Sequence, residues 1–236
     1  MRAMLLPPTG WPAVLLAAIA ASAEGGQPLV TDDAAIVAPK TCQLEAGLRS
    51  TPDARQWSAQ PACNFGGNVE WSVGGAHVAN DDGPSSSLVQ LQVKTVALKD
   101  ADAHTAFGVS AGAARDTGMS HGASAFQTYF AKALVSWYPR HGLELDANVG
   151  AANVRGAGTF VVAGAAAQVT VAGGLQLLGE VFRDAPEPGK FQVGVRSVVV
   201  RDRLDVYASY GNRFSRSSHD QFAVVGVRLQ TAAFLP

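Results

Sequence analysis

The sequence predicts an all-β chain: a closed antiparallel transmembrane β-barrel of about twelve strands, ten at the fewest, with short periplasmic turns and longer extracellular loops. Three observations point there. Segments of roughly ten residues alternate apolar and polar side chains along most of the chain, the period of a strand with two unlike faces. The N-terminus reads as an export signal. Connections between the alternating segments sort into tight and long ones by turns.

The alternation is clearest in Phe191–Phe214 (FQVGVRSVVVRDRLDVYASYGNRF), two arms joined at Arg201-Asp202-Arg203. Phe191, Val193 and Val195 oppose Gln192, Gly194 and Arg196 in the first arm; Leu204, Val206, Ala208 and Tyr210 oppose Asp205, Tyr207, Ser209 and Gly211 in the second. Counting across Asp202 pairs position 196 with 208 and 205 with 199. On that register Arg196 and Asp205 are not opposite one another and find partners on other strands.

Residues 1–23 carry the marks of a cleaved secretory signal. Arg2 is the basic start, Trp11–Ala21 the apolar stretch, and Ala21-Ser22-Ala23 a small-residue cleavage site before Glu24. The apolar stretch is shorter than the ~20 residues of a spanning helix. No later stretch is apolar for long enough either, so membrane entry would require a barrel. Residues 24–40 hold two prolines and the pair Asp32-Asp33 with no sustained alternation. They form an N-terminal extension, either periplasmic or folded into the lumen. The barrel is expected over 41–229, with a C-terminal tail at 230–236.

Strands are expected at 41–50, 55–63, 67–78, 87–98, 104–114, 126–138, 143–153, 158–169, 173–183, 190–200, 203–212 and 220–229. Pro61 weakens the second, because proline donates nothing to a ladder. The segment 158–169 (GTFVVAGAAAQV) lacks a polar face and would border the lumen at a tightly packed place. Cys42 and Cys63 bracket the first hairpin; pairing them aligns Arg49 with Gln56. In an exported chain they form a disulfide that acts as a staple.

Charge on a lipid face costs roughly 2–4 kcal/mol near the midplane, so charged faces are assigned inward. The lumen-lining candidates are Glu45, Arg49, Glu70, Lys94, Lys132, Glu144, Asp146, Glu180, Arg196, Asp205 and Arg228. Trp57, Trp71, Tyr129, Trp137 and Tyr210 have outward parity, as interface girdles do. The mixed signs of the lumen leave two readings open: a polar pore, or an interior packed by ion pairs.

Composition narrows the function. Charged residues are 16% of the chain, against roughly a quarter in an average soluble protein. The net charge of −1 and the lack of a basic run exclude nucleic acid as a partner. The expected partners are outer-membrane lipid and the barrel-assembly machinery, and the location is the outer membrane. His77, His104, His121, His141 and His219 show no metal-ligand spacing, and there is neither a GxGxxG nor a P-loop. No catalytic, metal or cofactor residues are therefore assigned, and no cofactor is expected. Ser120-His121 and Ser217-Ser218-His219 come nearest to a nucleophile and base, but both fall in loops, which do not hold such a pair in register. The expected role is a passive channel or uptake pore for small compounds. The alternatives are a closed structural or surface-interaction barrel and, third, a lipid-modifying barrel enzyme.

Two fragments carry a resemblance. Pro28–Ala34 (PLVTDDA), followed by Cys42-Gln43-Leu44-Glu45, resembles the start of outer-membrane proteins associated with the meta-cleavage pathway of phenol degradation. Tyr210–Phe214 (YGNRF) resembles barrel proteins of the same group. The resemblance implies an outer-membrane barrel for uptake of hydrophobic or aromatic compounds, and brings no functional residues with it. One departure stands out. Such barrels commonly end on an aromatic residue, whereas Phe234 here is followed by Leu235 and Pro236.

Overall fold

The computed structural model describes residues 29–100, 103–116, 126–184, 188–214 and 220–235. The expected signal segment, 1–23, lies outside them. Twelve strands are found among the described residues: β1 (Thr41–Ser50), β2 (Ala54–Asn64), β3 (Val69–Asn80), β4 (Ser86–Asp100), β5 (Thr105–Asp116), β6 (Thr128–Arg140), β7 (Leu143–Val154), β8 (Gly158–Ala172), β9 (Leu175–Arg183), β10 (Lys190–Val200), β11 (Leu204–Arg213) and β12 (Phe222–Gln230). Each pairs antiparallel with its neighbours in sequence, and β12 closes on β1 from Gln43↔Gln230 to Ser50↔Ala223. The barrel is closed, and closure removes the unpaired edge that an open sheet exposes. The predicted fold and strand count hold, with boundaries moved by a few residues.

Alternation explains the wall. Outward positions carry Trp71, Val73, Leu91, Val109, Val149, Val161, Val193 and Val225, all exposed. Inward positions carry glycine, amides and charges together with apolar side chains such as Leu134, Leu178, Phe182 and Phe222, most of them buried. Trp57, Tyr129 and Tyr210 are exposed near one rim, and Trp71 and Trp137 near the other. At the rim where the chain enters β1, the connections are short. Gly173-Gly174 joins β8 to β9 with φ of 54° and 83°, the left-handed pair that a two-residue hairpin needs to follow strand twist. At the opposite rim, 184–189 and the connections after β5 and β11 are longer, although 51–53 and 155–157 are only three residues each.

Three local features depart from simple counting. Pro61 sits inside β2, opposite Leu44 of β1; toward β3 the ladder skips from Ala59↔Gly75 to Ala62↔Ser72, so its missing N–H breaks no bond there. The hairpin β10–β11 contains a bulge between Val198 and Val200. That extra residue changes the expected register: Arg196 faces Tyr207 rather than position 208, and Asp205 faces Val198 rather than 199. Third, the tail folds back on β1. Thr231 N–H donates to Cys42 C=O at 2.9 Å, Cys42 N–H to Thr231 Oγ1 at 2.9 Å, and Phe234 N–H to Lys40 C=O at 2.9 Å. Cys42 and Cys63 pair across β1–β2 and are joined by a disulfide.

Candidate functional site

The site is the lumen and the segment inside it. Residues 29–37 run within the barrel as a strap with no strand structure of their own, bonded to side chains that come from opposite parts of the wall. Glu180 of β9 accepts the N–H groups of Val30 and Thr31 at 2.8 and 2.9 Å. Asn148 of β7 holds Asp32 by its main chain twice: Oδ1 accepts the N–H at 2.7 Å and Nδ2 donates to the C=O at 2.7 Å. Ser136 Oγ of β6 accepts from Ala34 N–H at 2.7 Å, and Glu70 of β3 from Val37 N–H at 2.8 Å. Asn64 Nδ2 at the end of β2 donates to Val37 C=O at 2.9 Å. Among the described residues, 29–37 of the extension therefore lie inside the lumen.

These bonds answer a physical need. A segment without helix or sheet has main-chain donors and acceptors that burial would leave unpaired, and each such group costs free energy comparable to a lost hydrogen bond. The wall supplies the partners. Two ion pairs add to them: Lys132 Nζ lies 2.6 Å from Asp32 Oδ2, and Lys94 Nζ 3.0 Å from Asp33 Oδ1. The first pair is deeply enclosed, with Asp32 only 1% exposed. Charge-assisted contacts of this kind are among the strongest polar contacts a protein makes.

Apolar packing completes the fit. Leu29 joins Ala166 and Leu178; Val30 packs on Phe182, Tyr207, Phe222 and Val224; Ala34 packs on Ala106 and Leu134. Gly164 of β8 lies against Thr31, and a Cβ there would collide with the threonine hydroxyl. This accounts for the missing polar face of β8: its small inner residues are where the strap rests.

The wall itself carries a network. Asp146 accepts from Ser136 Oγ at 2.5 Å and from Gln168 Nε2 at 3.4 Å, so Ser136 links the wall carboxylate to the strap. Gln192 donates to Glu180 and accepts from Ser209 at 3.0 Å. Asp205 receives both Arg196, at 2.8 and 3.1 Å, and Arg228. Arg196 and Asp205 thus bond each other, contrary to the expectation that they pair with other strands. The bulge at Val199 brings them onto one face as diagonal neighbours, within reach of an arginine. Glu45 is buried opposite Arg228, and the Arg49 guanidinium lies 4.1 Å from the centre of the Phe222 ring. Glu144 shares the parity of Asp146 and Asn148 and is half-buried. At the short-turn rim a cavity of about 610 Å³ stays open, lined by Gln176, Arg201, Arg203, Asp205 and Arg228 among others.

The structure thus gathers Glu70, Lys94, Lys132, Asp146 and Glu180 around the strap, and Arg196, Asp205 and Arg228 into a separate cluster. Asn64 and Ser136 were not singled out by sequence, because an isolated amide or hydroxyl on an inward face carries no motif; the alternation of β7 does put Asn148 inward beside Asp146. Asp32-Asp33 was the visible signal that the extension has charged partners. Ser120-His121 and Ser217-Ser218-His219 lie outside the described residues.

Residues 13–231 match the family model described as Uncharacterised conserved protein UCP029691. The chain belongs to that family. Among solved structures it is similar to the KdgM porin at 9% identity and a TM-score of 0.65, over 80% of this chain and 99% of that one. The KdgM porin in complex with disordered oligogalacturonate gives 8% identity and a TM-score of 0.61 over 80% and 99%. The NanC porin gives 9% and 0.58 over 80% and 98%. At such identities the likeness is one of fold: this chain shares the closed β-barrel fold of these porins. No curated protein matches the chain significantly.

Proposed function

We propose that the chain is an outer-membrane β-barrel that acts as a channel for small polar solutes, with residues 29–37 as the resident closure of its lumen. The observation that carries this reading is the sorting of side chains: exposed Val, Leu, Trp and Tyr outside, buried carboxylates, amides and cations inside. An exposed apolar belt of this extent is costly in water and favourable in lipid. A closed barrel is the β-structure that leaves no backbone group unpaired in a bilayer. The porin architecture of the similar structures agrees with this, and one of those porins was captured with oligogalacturonate, a polar solute. Outer-membrane lipid and the barrel-assembly machinery are the partners that the reading requires.

The charged, amide-rich wall favours a polar solute over a hydrophobic one. The link to phenol meta-cleavage, and with it uptake of aromatic compounds, rests on residues 28–34 and 210–214 alone. A second reading, a closed structural barrel, is favoured by the strap itself, whose contacts reach from β2 to β12.

Two measurements test the proposal. After cell fractionation the chain is expected in the outer membrane, running as a heat-modifiable band; recovery as soluble periplasmic protein sinks it. In planar bilayers the full chain is expected to conduct little and a variant with a displaced strap to conduct steadily. No conductance from a folded, strap-displaced variant would leave the structural barrel as the answer.

A further inference from the structure

We infer that the lumen wall is a binding site for acidic peptides held in an irregular, non-helical conformation, and that residues 29–37 are its built-in occupant; the inference rests on the channel reading above and names a solute class for it. The wall reads main chain more than side chain. Glu180, Asn148, Ser136, Glu70 and Asn64 bond N–H or C=O groups at positions 30, 31, 32, 34 and 37. Those groups are common to any polypeptide in this conformation, so the bonds select a peptide without selecting its sequence. A sugar or an aromatic compound offers no such series of spaced amide donors to two buried carboxylates.

Charge in the sequence is read at two adjacent positions. Lys132 and Lys94 take the carboxylates of consecutive residues, Asp32 and Asp33. Small residues are favoured where Thr31 lies against Gly164 and Ala34 against Ala106 and Leu134. The peptide expected to fit therefore has adjacent acidic residues flanked by small ones, in the bent course that residues 29–37 follow. Recognition of this kind, main-chain bonds for affinity and a few side-chain contacts for choice, is how extended peptides are bound elsewhere. The resident strap is covalently tethered and competes at high effective concentration, so a free peptide binds measurably only once the strap is weakened.

The test uses the full chain with Asp32→Asn and Asp33→Asn, checked for folding by its heat-modifiable mobility. A fluorescent peptide of the native 29–37 sequence, LVTDDAAIV, is titrated in detergent and followed by anisotropy. Saturable binding is expected, about tenfold weaker or more for the peptide with both aspartates changed to asparagine, since each loses a charged bond. Adding Lys94→Met and Lys132→Met to the barrel should abolish the preference for the acidic peptide. A second variant, Gly164→Val, displaces the strap by volume and guards against the first pair being too mild. No binding to either folded variant, with the strap shown displaced by protease sensitivity near residue 34, overturns the peptide site. Conductance of the same variants is read separately: current without peptide block sinks this inference and spares the channel, whereas peptide binding without current does the reverse.

Discussion

The ammonium of Lys132, on β6, lies 2.6 Å from the carboxylate of Asp32, on the strap, and both side chains are almost wholly enclosed. A hundred residues separate them in sequence. Removing one member of a buried pair strands the other charge, at a cost of about 3–5 kcal/mol. Lys132→Met is therefore expected to lower the unfolding midpoint in urea or on heating, read from the heat-modifiable band. Adding Asp32→Asn should recover most of the loss, because no lone charge is then buried.

A Cβ at Gly164 would collide with Thr31 Oγ1, so the wall has no room for a side chain under the strap there. Valine there should drive Thr31 off β8 while the outward face of the strand is untouched. With Ala34→Cys as a reporter, buried in the native chain, maleimide labelling is expected to be slow in the parent and at least tenfold faster in Gly164→Val, the factor that a shift of about 1.4 kcal/mol in the opening equilibrium produces. Equal labelling rates would mean that the strap does not depend on this contact.

The disulfide joins strands already in register, Cys42 opposite Cys63. Its contribution comes mainly from constraining the unfolded chain, about 3 kcal/mol for a loop of this length. Cys42→Ser with Cys63→Ser should leave the fold intact and lower its denaturation midpoint. Without reductant, the denatured parent is expected to show no thiol reactive to maleimide.

Val149 points outward near the middle of β7 and is 58% exposed. Arginine there should cost about 2–4 kcal/mol in lipid if that face meets the hydrocarbon. The reading predicts poor folding into vesicles for Val149→Arg, with far less effect of arginine at the rim position Phe65. Similar folding efficiency for both would speak against a bilayer around the barrel.

The sorting of apolar and polar residues with period two was enough to predict the class, the twelve strands and the closed architecture, because side-chain direction in a strand follows directly from the pleat. The pairing of Cys42 with Cys63, aligning Arg49 with Gln56, was legible from counting alone. The β10–β11 hairpin shows where counting stops. Its two alternating arms present Val193 and Val195 with Ala208 and Tyr210 on one face, which is incompatible with a simple turn centred on Asp202. One extra residue is needed, and the bulge at Val199 provides it. Arg196 and Asp205 then meet.

The strap marks the other boundary. Residues 24–40 have no periodicity, so sequence could place them inside or outside the barrel with equal ease. The position of 29–37 depends on Glu70, Lys94, Lys132, Ser136, Asn148 and Glu180, six residues on five strands that become neighbours only when the barrel closes. Local alternation determined the wall of this protein. What fills the wall was decided by closure, because only a closed barrel brings enough hydrogen-bond partners together to bury an irregular chain.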